Sequence, residues 1–309
     1  MAVPFNSVNA TTREAFMPKV YDNIFKSLLL FGRFKKRNTY SPQNGGKYLL
    51  VPVLYDSVDA NAEWIVSTDT YTNNTSDEFT AAQYFWKYSH SSITLSDMDE
   101  LENSGPEIQV INIVKARVQR AEMTLKKLLG TALFNDGTNA KAMAGLKAGI
   151  LDTNVYAAID RTANTWWAAN VDSATTVQGL PAMQSMYGLC TIADEMPTLI
   201  LGQQNQTDRY WAALQNQQRF GSGNTINAGA KNLLLNSTPV VVDPNAQANY
   251  LYFLNENFML LRYHPRNDFL YRPFARKEDT PLNKAHITWS GNLAIMNSAL
   301  QGVMTAVAA

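Results

Sequence analysis

The sequence predicts a mixed α+β fold in which one long helix crosses antiparallel sheet, and three observations lead there. Apolar residues recur at helical spacing from Ile111 through Val114, Val118, Ala121, Leu125 and Leu128 to Ala132. Strand-like runs precede that stretch at 47–55 and at 84–95, the second rich in aromatic, Ser and Thr residues. Shorter runs follow it at 250–254, 258–263, 286–289 and 293–296, separated by Asn, Pro and Gly turns.

Taken in order, the chain opens as an arm. Thr11 and Glu14 have capping-box spacing, Pro18 breaks or starts a helix, and Tyr21, Ile24, Phe25, Leu28 and Leu29 share one helical face. Gly32 is expected to end that helix, with Arg33, Lys35, Lys36 and Arg37 as an exposed basic cluster suited to its last turn. Without aromatic interleaving, the cluster reads as a solvated helix end rather than a nucleic-acid site.

The strands at 47–55 and 84–95 are expected to pair. From Tyr48 through Trp86 there is no lysine or arginine, while Asp56, Asp59, Glu63, Asp69, Asp77 and Glu78 make the span acidic. A connection this long fits an extended hairpin that finds its packing elsewhere. Trp64, Ile65, Val66, Tyr71 and Phe79 would be a liability on a lone monomer, so another subunit is expected to cover them.

Ser104 and Glu107, with Pro106 between them, mark the start of the long helix, and Asn135, Asp136 and Gly137 its stop. A helix over about 106–135 would be roughly 45 Å long, a spine for the domain. Its other face carries Lys115, Arg117, Arg120, Lys126 and Lys127 against only Glu122, and reads as solvated or salt-bridged. Beyond the paired Trp166 and Trp167, a separate segment spans about 175–243. It offers a short buried strand at 198–201, a helix capped by Thr207 or Asp208 and running through Leu214, and a strand at 239–242. The Gln-, Asn- and Gly-rich stretch 215–230 reads as a surface loop, and no internal repeat is found.

Composition narrows the function. Lysine plus arginine and aspartate plus glutamate each number 26, so no net field draws the chain to nucleic acid or to a membrane. One cysteine, Cys190, allows no intrachain disulfide, residues 1–16 carry no signal-peptide pattern, and no apolar run is long enough to span a bilayer. A soluble protein folded in a reducing cytoplasm is expected.

Chemistry-bearing patterns are missing. His90, His264 and His286 have no metal-ligand spacing, so neither metal nor cofactor is expected. Asp97, Asp99, Glu100 and Glu102 could serve as a carboxylate pair or cation site, but acids ahead of a helix ordinarily stabilise its N-terminus. Ser222, in Gly221-Ser222-Gly223, lacks the nucleophile-elbow spacing, and Gly229-Ala230-Lys231 makes no phosphate loop. Cys190, near the end of an expected helix, reads as a small buried thiol. No catalytic role is expected.

The order of elements resembles the HK97-type major capsid protein family of tailed bacteriophages. The passage Ser91-Ser92-Ile93-Thr94-Leu95-Ser96-Asp97-Met98-Asp99-Glu100-Leu101-Glu102-Asn103-Ser104 is similar to that family's strand leading into a short acidic turn before the spine helix. Phe134-Asn135-Asp136-Gly137-Thr138 and Gly145-Leu146 are similar to its glycine-rich exit, and Pro239-Val240-Val241-Val242-Asp243, Tyr252-Phe253-Leu254-Asn255 and Gly291-Asn292-Leu293 to its close. The resemblance implies an N-arm at 1–38, an E-loop at 39–89, and a P-domain at 90–174 with the spine at 106–135. It further implies an A-domain at 175–255, returning P-domain strands at 256–287 and a C-terminal segment, 288–309, in the A-domain. It implies an icosahedral head built from hexamers and pentamers around genomic DNA held without sequence-specific contacts, with a portal and no membrane. Some members lock their shells with a lysine-to-asparagine bond from the E-loop. The lysine-free span excludes that here, and the lack of a long N-terminal extension points to a separate scaffolding protein or to a segment already removed.

Charge segregation adds an expectation about contacts between copies. Asp69, Asp77 and Glu78 of the acidic loop would meet basic surface of a neighbour, from the spine face or from Arg262, Arg266, Arg272, Arg276 and Lys277, and Trp64 would be the apolar anchor. Competing readings are an encapsulin-like nanocompartment shell, a cytoplasmic enzyme using the acids at 97–102, and another virion component such as a decoration or tail-tube subunit.

Overall fold

The computed structural model describes residues 29–55, 62–71, 79–98, 107–173, 180–215, 233–276 and 281–305. The expected helix features from Thr11 to Leu28, the cap at Ser104 and Pro106, the loop beyond 215, and Asp77, Glu78 and Lys277 all lie outside them.

Helix α1 (Leu29–Lys36) buries Leu30, Phe31 and Phe34, with Phe31 edge-on to Trp289 at 6.5 Å. It runs through Gly32 and ends instead at Asn38, which takes φ +59°. There Thr39 N–H donates to the Phe34 carbonyl at 3.0 Å and Asn38 N–H to that of Lys35 at 3.3 Å, the paired bonds of a Schellman end. Strand β1 (Tyr40–Pro42) follows, then β2 (Tyr48–Leu54), which pairs antiparallel with β3 (Phe79–Phe85). The expected partner strand at 84–95 is two strands, because the chain leaves one ladder at Trp86 and enters another as β4 (Lys87–Ser96).

The spine is α2 (Glu107–Ala132). Val114, Val118, Ala121, Leu125, Leu129 and Leu133 form its buried stripe, so Leu129 takes the inward place expected of Leu128, which is exposed. Glu122, expected on the solvated face, is buried. Gly145 is required where the chain returns to the helix end, since a Cβ there would lie 2.3 Å from the Asn135 nitrogen and 2.5 Å from the Leu133 carbonyl oxygen. Next come the short α3 (Leu146–Gly149), the pair β5 (Val155–Tyr156) and β6 (Ile159–Asp160), and β7 (Asn170–Asp172).

Helix α4 (Leu180–Leu189), β8 (Leu199–Gly202), α5 (Gln204–Gln215), β9 (Leu234–Leu235), β10 (Thr238–Val242) and β11 (Leu251–Leu254) build the second half. Helix α5 thus begins ahead of the expected cap at Thr207 or Asp208. The chain closes with β12 (Met259–Tyr263), β13 (Leu270–Arg276), β14 (Leu282–Ile295) and β15 (Gly302–Met304). The expected strands at 286–289 and 293–296 are one strand. Gly291 is no turn; a Cβ there would lie 2.4 Å from the Arg262 carbonyl oxygen and 2.6 Å from the Trp289 ring.

Two sheets organise these elements. In the five-stranded sheet, β14 pairs with β4 along one edge, while β13 and β12 take successive parts of the other, and β1 joins β12. The six-stranded sheet runs β7-β15-β11-β8-β10-β9. The expected boundary at 287/288 therefore falls inside β14, and the chain changes sheets after Ile295. Alternation sorts the six-stranded sheet's side chains between two cores. Leu199, Leu201, Tyr252 and Leu254 join the main core with the spine stripe, whereas Ile200, Leu251 and Phe253 pack with Met183, Met186 and Tyr210 of α4 and α5.

Candidate subunit interface

The joint between the sheets, 255–258, is closed by charge. Glu256 is fully buried, and Arg33 of α1 grips both its carboxylate oxygens, Nε to Oε1 at 2.6 Å and Nη2 to Oε2 at 2.7 Å. Arg37 Nε stands 3.0 Å from Oε2, the Thr198 hydroxyl donates to the same oxygen at 3.1 Å, and Glu256 N–H donates to that hydroxyl at 3.0 Å. The hydrogen bonds to Glu256 raise the Arg33 guanidinium above its ordinary value. The basic cluster is therefore no mere solvated helix end: two of its members tie the arm to the joint, a contact across 223 residues that no local pattern announces.

The acidic loop is the opposite case. Trp64 is fully exposed, and Ile65, Val66 and Tyr71 are exposed beside it. Asp69 holds this loop in shape: its carboxylate accepts from Val66 N–H at 2.8 Å, and its own N–H donates to the Val66 carbonyl at 2.9 Å. Below, the β2–β3 hairpin turns Leu49, Val51, Val53, Ala82 and Tyr84 into the core and leaves Leu50, Leu54, Phe79 and Phe85 exposed.

A groove runs between β4 and the spine helix. Its polar half, about 580 Å³, is lined by His90, Ser92, Thr94, Arg117, Arg120 and Thr124. With His90 as shared wall, an apolar pocket of about 260 Å³ adjoins it, walled by Tyr88, Leu128, Leu129, Ala132, Met143 and Trp289 and rimmed by Lys87 and Lys141. His286, its ring 6.0 Å from that of His90, has its pKa lowered by burial and then by His90, Lys284 and Arg272.

Of the other arginines expected to meet a neighbour, Arg262 is half-buried while Arg266 and Arg272 are exposed. Arg276 already pairs within the chain, Nη2 to Asp97 Oδ2 at 3.0 Å. Asp97 also accepts from Asn283 Nδ2 at 3.1 Å, so it fastens β4 to the returning strands; Asp99, Glu100 and Glu102 lie outside the described residues. Among the described residues, no group of three or more His, Cys, Asp or Glu could hold a metal, and no helix is long and apolar enough to cross a membrane. Cys190 is buried against Gly302, and burial pushes its thiol up to about 12. Sequence reasoning missed the apolar pocket; the doublet Leu128-Leu129, which cannot turn both side chains to one core, was its available signal.

No protein-family model and no curated protein sequence matches the chain. Solved structures do. The capsid asymmetric unit of cyanophage A-1(L) superimposes with a TM-score of 0.65 at 16% identity, over 88% of this chain and 91% of that one. A capsid subunit of an empty GTA particle matches at 0.60 and 13% identity, covering 88% and 96%. The holo-SrpI encapsulin complex of Synechococcus elongatus PCC 7942 matches at 0.55 and 10% identity, covering 89% and 88%. Coverage is nearly complete on both sides, so the likeness extends along the chain rather than to a shared fragment, and the chain has the HK97-like capsid fold.

Proposed function

We propose that the chain is the major capsid protein of a tailed bacteriophage, a structural rather than catalytic protein that assembles as hexamers and pentamers into the icosahedral head around the genome. The observation that carries this reading is the two-way, near-complete match to phage capsid subunits. The exposed loop supports it, because Trp64 and its apolar neighbours stand in solvent in the single chain, surface that another copy would cover. On this reading 1–38 is the N-arm and 39–89 the E-loop, whose two ends, β1 and the first residues of β4, join the P-domain sheet. The five-stranded sheet with the spine is the P-domain, and the six-stranded sheet is the A-domain. A separate scaffolding protein and a portal take part, DNA is enclosed without sequence-specific binding, and assembly proceeds in the host cytoplasm before the protein resides in the virion.

The acidic loop supplies one partner of the contact between copies, and the groove beside the spine, with Arg262, Arg266, Arg272 and Lys277, the other. Each exposed pair contributes only about 0.2–1 kcal/mol, but repetition over a shell sets register. Asp77 and Glu78 test this better than Asp69, whose replacement would also undo the loop's own turn.

Electron microscopy of the purified chain, alone and co-expressed with a scaffolding protein, tests the proposal. Closed angular particles or curved sheets are expected, and D77K/E78K should reduce them. A monodisperse small oligomer under both conditions would overturn it. The encapsulin likeness gives one rival, which small particles of uniform size holding protein cargo would favour.

A further inference from the structure

We propose that the apolar pocket at the end of the spine helix is the seat for Trp64 of a second copy of the chain, an inference that rests on the shell-building function above. The two parts fit in size and chemistry. At about 260 Å³ the pocket is smaller than the roughly 300–1,000 Å³ of small-molecule sites, which suits a single large side chain. Tyr88, Leu128, Leu129 and Met143 supply aromatic, aliphatic and thioether surface for an indole. Tyr88 and Leu128 are themselves exposed in the single chain, so an incoming ring would cover surface at the pocket as well as its own.

Charge orients the same pairing. Lys87 and Lys141 stand at the rim, and Lys87 Nζ is fixed there by donating to the Ala140 carbonyl at 2.5 Å. The incoming loop carries Glu63 next to Trp64 and Asp69 beyond it, in a span with no lysine or arginine. Ammonium groups at the rim of an indole site also favour the ring's π face. The paired Val66–Asp69 bonds fix the turn that follows Trp64, which lowers the ordering entropy opposing docking.

Geometry assigns the ring to another copy. The pocket lies at the start of β4, directly after β3 ends at Phe85, whereas Trp64 lies beyond the opposite end of the β2–β3 hairpin. Seven paired residues set the two ends about 20 Å apart, and Trp64, fully exposed in the single chain, does not occupy its own pocket.

Photo-crosslinking tests the seat directly. With p-benzoylphenylalanine in place of Trp64, assembled shells should yield covalent links between two chains, mapping by mass spectrometry to 87–90 or 128–143. Links elsewhere, links within one chain, or shells that form without links would each overturn the seat while leaving the shell reading intact. Absence of shells from the unmodified chain, with or without scaffolding protein, would overturn that reading and this inference with it. A mutant cycle provides the second measurement. Trp64→Ala and Leu128→Glu should each raise the concentration needed for assembly about tenfold or more, and the double variant should be no worse than the stronger single one. Additive losses would overturn the pairing. Both side chains are exposed in the unassembled chain, so unchanged thermal unfolding of each variant separates lost assembly from lost folding.

Discussion

The joint at Glu256 and the loop at Trp64 treat costly groups in opposite ways. At the joint a carboxylate with no solvent exposure is met from within the chain by two arginines and a threonine hydroxyl. On the loop an indole stands wholly in solvent beside the turn at Val66–Asp69, and among the described residues nothing covers the ring. A buried charge left without its partner costs the single chain several kcal/mol. Exposed apolar surface can wait for a partner, at the risk of misplaced association. The difference separates what keeps a single chain folded from what, on the proposed function, joins chains together.

That separation can be broken experimentally. The largest effect should come from Glu256→Ala, which leaves two guanidinium groups facing each other without a counter-charge. Breaking a buried pair costs about 3–5 kcal/mol, and since Arg33 and Arg37 keep 28% and 34% of their side-chain exposure, the lower end applies. Denaturant titration of the unassembled chain should show a loss of about 3 kcal/mol; a loss below about 1 would mean that the arm does not hold the joint.

A smaller effect belongs to Asp268, which accepts from the Tyr40 hydroxyl at 2.5 Å. Burial lifts its pKa from 3.8 to about 6, against the opposing effects of that hydrogen bond and of Lys35. The folded chain therefore holds an extra proton between about pH 4 and 6. This contribution to stability is full below the unfolded value and is lost as pH rises through about 6. Relative to Asp268→Asn, the wild type should lose about 2 kcal/mol between pH 4.5 and 7.5 in urea titrations. Parallel pH profiles for the two proteins would rule this out. Smallest of all, Trp64→Ala should change the stability of the unassembled chain by no more than about 0.5 kcal/mol, because its ring touches solvent. A larger loss would mean that the loop serves the single chain after all.

Much of the fold was legible because its signals are local. The spine's stripe repeats every three or four residues, and Gly145-Leu146 marks where the chain folds back against the helix end. What failed depended on distant atoms. Gly32 and Gly291 resemble punctuation in sequence, yet one lies inside a helix and the other inside a strand, where the Trp289 ring and a carbonyl leave no room for a Cβ. The exposure of Trp64 was legible in an aromatic on a polar, lysine-free loop. The apolar pocket proposed to receive it was not, because choosing Leu129 over Leu128 for the inward stripe needs the helix's rotation against β4. The grip on Glu256 joins residues more than two hundred apart and leaves no periodic trace.

Strand β14 carries a mechanical consequence. Of its fourteen residues, ten (282–291) pair with β4 on one edge, and β13 and then β12 take the other. Tension along such a strand loads its flanking ladders in shear, so many hydrogen bonds must yield together rather than one after another. It acts as a tie-rod through the fold, and on the proposed shell-building function a stretched wall would give way first where chains meet.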